Sequence, residues 1–197
     1  TDQDPLIIEI YYPEVSQTSD YLKPRILVEI GSRSLREPCS PRVFSSLVGE
    51  HYPDQSFADK PITVATVNPE RTFLEKVFLL HEEFQKPAAK IRTDRLSRHL
   101  YDLEKLMDTP YFKIAITDDS LYQGIVNHRS VITPIRGIDY ANHTPSKISI
   151  IPPASILKEW QKDYEIMQQN MIYGNSLSFE KLMERIAMIQ EQINAKK

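Results

Sequence analysis

Asn68-Pro69-Glu70-Arg71-Thr72-Phe73-Leu74-Glu75-Lys76 opens a stretch, running to Met107, from which the organisation of the chain can be read. Asn68 stands at a helix N-cap position, and Pro69 follows where its missing N–H costs nothing. Glu70 lies in the first turn, facing the positive end of the helix dipole. Phe73, Val77, Leu80 and Phe84 then recur at i, i+4, i+7 and i+11, with Leu74 and Phe78 widening the stripe. Pro87 ends this helix. A second helix is predicted from Thr93 or Asp94 to Met107, with Leu96, Leu100, Leu103 and Met107 on its apolar face.

The polar residues of the pair have two readings. Lys76 sits at the margin of the first stripe, where a lysine can simply lay its stem over apolar surface. On the second helix Arg95, Arg98, His99 and Asp102 share an arc of about a quarter turn, at about 100° per residue. Arg98 and Asp102 are spaced for an i,i+4 ion pair, worth little if exposed. Lys86, Lys90, Arg92, Arg95 and Arg98 form a basic patch that can face phosphates or water. It has no interleaved aromatics of the kind that stack bases. The five histidines show no metal-ligand spacing, so a bound zinc is not expected.

Upstream the chain reads as strands and loops. Leu6 to Tyr12 (LIIEIYY) and Arg25 to Ile30 (RILVEI) are predicted strands that can pair antiparallel. Glu29 lies inside the second, on the face opposite Ile26, Val28 and Ile30. That carboxylate is either the wet face of an edge strand or a metal ligand on a central one. Residues 31–60 read as loop, with a short helix or turn at Val43 to Val48, and Pro61 to Val67 as a third strand. Gly31-Ser32 has the letters that open a nucleotidyltransferase phosphate loop, but no Asp-x-Asp follows it.

Downstream the signals are mostly helical. A polar helix is expected around Ser120 to His128 and a short strand at Lys147 to Ile151. A helix from Ser155 to Met171 carries Leu157, Trp160, Tyr164, Met167 and Met171 at core spacing. The last helix starts at Ser178 as N-cap and buries Phe179, Leu182, Ile186, Ile189 and Ile193. The fold class is therefore α+β, with strands in residues 1–67 and a helical domain in 68–197.

Composition narrows the function. A net charge of −3 gives no global attraction to nucleic acid or anionic membrane, so any polyanion site must be a local patch. No apolar run approaches the roughly 18 residues that span a bilayer. The single cysteine, Cys39, cannot form an internal disulfide, which fits a reducing, cytoplasmic location. Fourteen prolines against five glycines is an odd balance for a complete nucleotide-handling enzyme, whose phosphate loops want glycine. A longer N-terminal part is expected.

The central motifs carry a family resemblance. Asn68 to Lys76, with Leu80-His81-Glu82 a turn later, resembles the P-x-R-T-F-x-E-K…L-H motif of AbiEii-type nucleotidyltransferases. These are toxins of type IV toxin–antitoxin and abortive-infection systems and their relatives. Arg95-Leu96-Ser97-Arg98-His99-Leu100-Tyr101-Asp102-Leu103 resembles the family's R-x-x-R-H-x-Y-D-L motif, and Asp163-Tyr164 with Met167 its C-terminal segment.

The resemblance implies a polymerase β-like nucleotidyltransferase core followed by a helical domain. It implies that Lys76 grips the triphosphate of an incoming nucleotide, with Arg98 beside it, and that Asp102 is a second essential polar residue. Glu29 would stand where such enzymes place a carboxylate near Mg2+. Two divalent cations would activate the attacking oxygen and stabilise the leaving pyrophosphate. The partners implied are a nucleoside triphosphate, transfer RNA or another RNA, and an antitoxin protein. The family's Gly-rich loop and Asp-x-Asp are not matched: Asp2-Gln3-Asp4 has the letters but no preceding glycines. The chain is thus expected to hold part of an active site. The competing expectation is a non-catalytic helical module that docks RNA or an antitoxin through Lys86 to Arg98.

Overall fold

The computed structural model describes residues 5–13, 23–32 and 38–196. Strands β1 (Leu6–Tyr11) and β2 (Arg25–Ile30) pair antiparallel with Leu6 opposite Ile30 and Ile7 opposite Glu29. A second antiparallel pair joins β3 (Cys39–Phe44) to β4 (Ile62–Val67), with Cys39 opposite Val67 and Phe44 opposite Ile62. The strand β3 corrects the expectation of a loop. Proline usually disqualifies a strand, but in a two-stranded sheet both strands are edges, and Pro41 is tolerated opposite Ala65.

The short helix or turn expected over Val43 to Val48 is displaced to α1 (Leu47–His51), because Val43 and Phe44 stay in β3. Ser46 caps α1 by accepting the Gly49 N–H at 3.0 Å. Asp59 closes this turn, accepting the Ser46 N–H at 2.8 Å. A Cβ on Gly49 would run into the Asp59 carboxylate, which would have to turn away from its bond to Ser46.

Both hairpins leave apolar side chains in the open. Ile7, Ile10, Ile26 and Ile30 are each half exposed or more, as are Val43 and Ile62. The core belongs instead to the helices. At its centre α2 (Pro69–Phe84) packs against α3 (Ser97–Met107), α4 (Pro110–Thr117) and α5 (Asp119–Val131). In turn α3 packs on α6 (Leu157–Asn170) and α7 (Phe179–Asn194). Phe73, Val77, Phe78 and Leu80 of α2 are fully buried, and edge-to-face ring contacts tie Phe73 to Phe112, Phe78 to Tyr122 and Phe84 to Trp160.

Helix α4 was not anticipated, and α5 runs longer than the polar segment expected at 120–128. The strand expected at Lys147 to Ile151 is absent among the described residues. Ile148 and Ile150 are buried as alternation requires, but side chains take the backbone N–H groups. Ser149 N–H donates to His81 Nδ1 at 3.1 Å and Ile150 N–H to Gln190 Oε1 at 2.7 Å. A single extended segment can satisfy its backbone this way without a ladder. The C-terminal helix follows expectation, with Ser178 Oγ accepting the Lys181 N–H at 3.4 Å.

Candidate active site

Lys76 and Asp102, from the two central motifs, meet. Lys76 Nζ lies 2.6 Å from Asp102 Oδ2, with the two side chains 20% and 39% exposed. Asp102 therefore does not form the i,i+4 pair with Arg98 that its spacing allowed. It turns across the seam between α2 and α3, and Arg98 stays exposed. A lysine has three N–H donors and Asp102 engages one atom, so donors remain for a ligand.

Beside this pair is a cleft of about 450 Å³. Val67 and Leu79 give it apolar walls, while Arg71, Thr72, Glu75, Lys76, His99 and Arg129 supply the polar ones. It opens at the first turns of α2, where Asn68 occupies the N-cap position but makes no side-chain cap bond. Asn68 Oδ1 is buried without a hydrogen-bond partner.

The cations of the cleft are balanced by acids. Glu75 accepts from Arg71 at 3.0 Å and from Arg129 at 2.5 Å. Arg129 continues inward to Glu82, with Nε 2.8 Å from Oε1 and a second, shorter contact between its other nitrogen and Oε2. Glu82 is only 2% exposed and also lies 3.1 Å from His143 Nε2. Burial pushes the Glu82 carboxyl up, but hydrogen bonds from Arg129 and His143 outweigh it and hold it below the usual range. Two-pronged Arg–carboxylate geometry of this kind is the strong form of the interaction.

His99 lies in the wall next to Lys76, 8% exposed, with Nδ1 lacking a partner. Burial, then the nearby Lys76 and Arg98 cations, push its pKa down to about 4. It is a neutral imidazole at physiological pH.

The other motif histidine serves the scaffold. His81 accepts the Ser149 N–H at Nδ1, so its proton sits on Nε2, which donates to the Asn142 carbonyl at 3.1 Å. Burial and the adjacent His143 depress its pKa to about 4. Sequence reasoning missed this fastening of 139–150 to α2, as it missed Glu75, Glu82 and Arg129. The motif letters Glu75 and His81-Glu82 were the only signal.

The family profile described as nucleotidyl transferase AbiEii toxin, type IV TA system, matches residues 5–185. The chain belongs to the AbiEii family. No curated protein and no solved structure matches it significantly.

Within this AbiEii chain the basic patch is partly neutralised. Glu83, 2% exposed, accepts from Lys86 Nζ at 2.7 Å and from the Arg92 backbone and guanidinium at 2.8 Å. Burial pushes the Glu83 carboxyl up, and its bonds to Arg92 and Lys86 bring it below the usual range. Only part of the Lys86 to Arg98 segment is therefore open to a phosphate.

Glu29 is exposed on β2 opposite Ile7 and does not line the cleft. Among the described residues no three His, Cys, Asp or Glu side chains are grouped to hold an ion. The described residues by themselves do not fit a divalent metal. Asp2-Gln3-Asp4 lies outside the described residues. Gly31-Ser32 is exposed after β2. Among the described residues no helix is long and apolar enough to cross a membrane.

Proposed function

We propose that this AbiEii-family chain forms the phosphate-gripping side of a nucleotidyltransferase that moves a nucleotide from a nucleoside triphosphate to RNA, such as transfer RNA, or to another acceptor. The observation that carries the reading is the 2.6 Å contact joining Lys76 to Asp102 at the cleft. Residues 1–67 would be the remaining strands of the catalytic core and 68–197 the helical domain.

In this reading the cleft receives the triphosphate at the first turns of α2, where the helix dipole favours negative charge. Asp102 holds Lys76 extended, so that its remaining N–H donors reach the β and γ phosphates. The acceptor hydroxyl attacks the α phosphorus and gives its proton to water, the bond to the bridging oxygen breaks, and pyrophosphate leaves with its charge stabilised by Lys76. Arg98, exposed one turn before Asp102, adds a second cation on the same helix. His99 stays neutral and excludes water from one wall. A Mg2+ ion, a cytoplasmic location and an antitoxin partner belong to the same proposal, but Glu29, exposed away from the cleft, is not assigned to the ion.

The test is transfer of α-labelled nucleoside triphosphates to RNA by the full-length protein and its Lys76→Ala and Asp102→Ala variants. Each substitution is expected to lower turnover at least about a hundredfold, the usual cost of removing a charge-stabilising group. Wild-type transfer by Lys76→Ala would sink the proposal. The alternative, a non-catalytic module binding RNA or an antitoxin through Lys86 to Arg98, has less support because Glu83 holds Lys86 and Arg92.

A further inference from the structure

Helix α3 begins without a cap of its own. Leu96 occupies the N-cap position and makes no side-chain cap bond. The residue before it, Arg95, has a left-handed backbone with φ of 57°, a region that non-glycine residues enter at a cost. The local sequence favours an earlier start: Thr93 and Asp94 are good capping types, and the apolar stripe already includes Leu96. Something outside the segment moves the start to Ser97.

That group is Asp163 of α6, which is 7% exposed. Its Oδ1 accepts the Arg95 N–H at 2.7 Å, and its Oδ2 accepts the Ser97 N–H at 2.9 Å and the Ser97 hydroxyl at 2.5 Å. One buried carboxylate thus meets N–H groups that a helix start leaves open, and it stabilises the left-handed residue at the same time. The helix that it anchors presents His99 and Asp102 within its first two turns. A slip of the helix by one residue past this anchor would rotate those side chains about 100° and move them about 1.5 Å along the axis.

We propose that Asp163 is a positioning residue for the cleft: through Arg95 and Ser97 it fixes where α3 starts, and so aims Asp102 at Lys76 and His99 into the wall. It touches no ligand itself. The inference depends on the proposed function only for the ligand-binding readout below.

Three variants test it. Asp163→Asn puts an N–H donor where an acceptor faces N–H groups, and Ser97→Ala removes the hydroxyl contact alone. Arg185→Gln removes ion pairs at the far end of α3, to Glu104 at 3.2 Å and Asp108 at 2.5 Å, and reports general loosening. The His99 imidazole is followed by NMR through a pH titration, and binding of inorganic tripolyphosphate is measured by calorimetry.

Asp163→Asn is expected to raise the His99 pKa well above about 4 and to weaken tripolyphosphate binding about tenfold, as the competent state is depopulated. Ser97→Ala is expected to do both to a smaller extent. Arg185→Gln should lower the unfolding midpoint while leaving His99 titration unchanged and affinity within about twofold. An unshifted His99 in Asp163→Asn, or an equal shift in Arg185→Gln, overturns the proposal. If Asp163→Asn does not fold, Ser97→Ala decides by the same criterion. Tripolyphosphate binding unaffected by Lys76→Ala would remove the proposed function, whereas the His99 titration would still decide the role of Asp163.

Discussion

The two halves of α2 use charge in opposite ways. In the N-terminal half, Lys76 reaches a cleft and holds Asp102 across a partly exposed seam. In the C-terminal half, Glu82 and Glu83 are almost wholly buried and each takes more than one cationic or imidazole partner. One motif therefore divides into a part that can respond to a ligand and a part that fastens the surrounding loops. Burial is what separates them: a buried charge must be fully paired, while a half-exposed one can exchange its partner.

The comparison can be broken by mutation, beginning with the buried half. Glu82→Ala strips the His143 donor of its acceptor and leaves Arg129 with Glu75 alone, and it is expected to cost about 3–5 kcal/mol of unfolding free energy. Urea denaturation measures this, and a loss below about 1 kcal/mol would show that Glu82 is no buried anchor.

Acidification acts next. His81 and His99 have folded pKa values of about 4, below the ordinary 6.5. Between those values the unfolded chain binds more protons, so stability present above pH 6.5 is lost as pH falls towards 4. The loss should not exceed about 3 kcal/mol for each histidine. Unfolding curves at stepped pH will show it. His81→Gln, whose amide can accept from Ser149 and donate to Asn142, should flatten the His81 share of the slope.

Smaller effects are expected at the open half. Lys76→Ala should change stability by less than about 1 kcal/mol, since its ion pair is partly exposed. A loss near that of Glu82→Ala would make Lys76 a structural residue. Smallest of all is Arg98→Ala, with a stability change within about 0.5 kcal/mol and a measurable drop in triphosphate affinity by calorimetry.

Much of the helical body was readable because long apolar stripes leave little choice of face. Phe73, Val77 and Leu80 on α2, and Leu182, Ile186 and Ile189 on α7, all reach the core as their spacing requires. Helix α4 was missed because its eight residues hold barely two turns, too few for a period to emerge. Strand β3 was missed because Pro41 argues against a strand unless both strands are known to be edges. The candidate site shows the same division. Lys76 and Asp102 were legible from the motifs. Glu75 and Asp163 stood in the motifs without a role and Arg129 stood in none, since their importance comes from partners up to 68 residues away.

By itself the sequence determined where the long amphipathic helices lie, which faces they bury, and, through two motifs, the AbiEii family and the residues worth watching. Local periodicity and capping chemistry suffice for that. Only the tertiary structure decided that Asp102 pairs with Lys76 instead of Arg98, that Glu83 disarms part of the basic patch, and that Asp163 starts α3 at Ser97. Partner choice among charges depends on distances across the packed seam and on what burial leaves unpaired, and neither is encoded in sequence spacing.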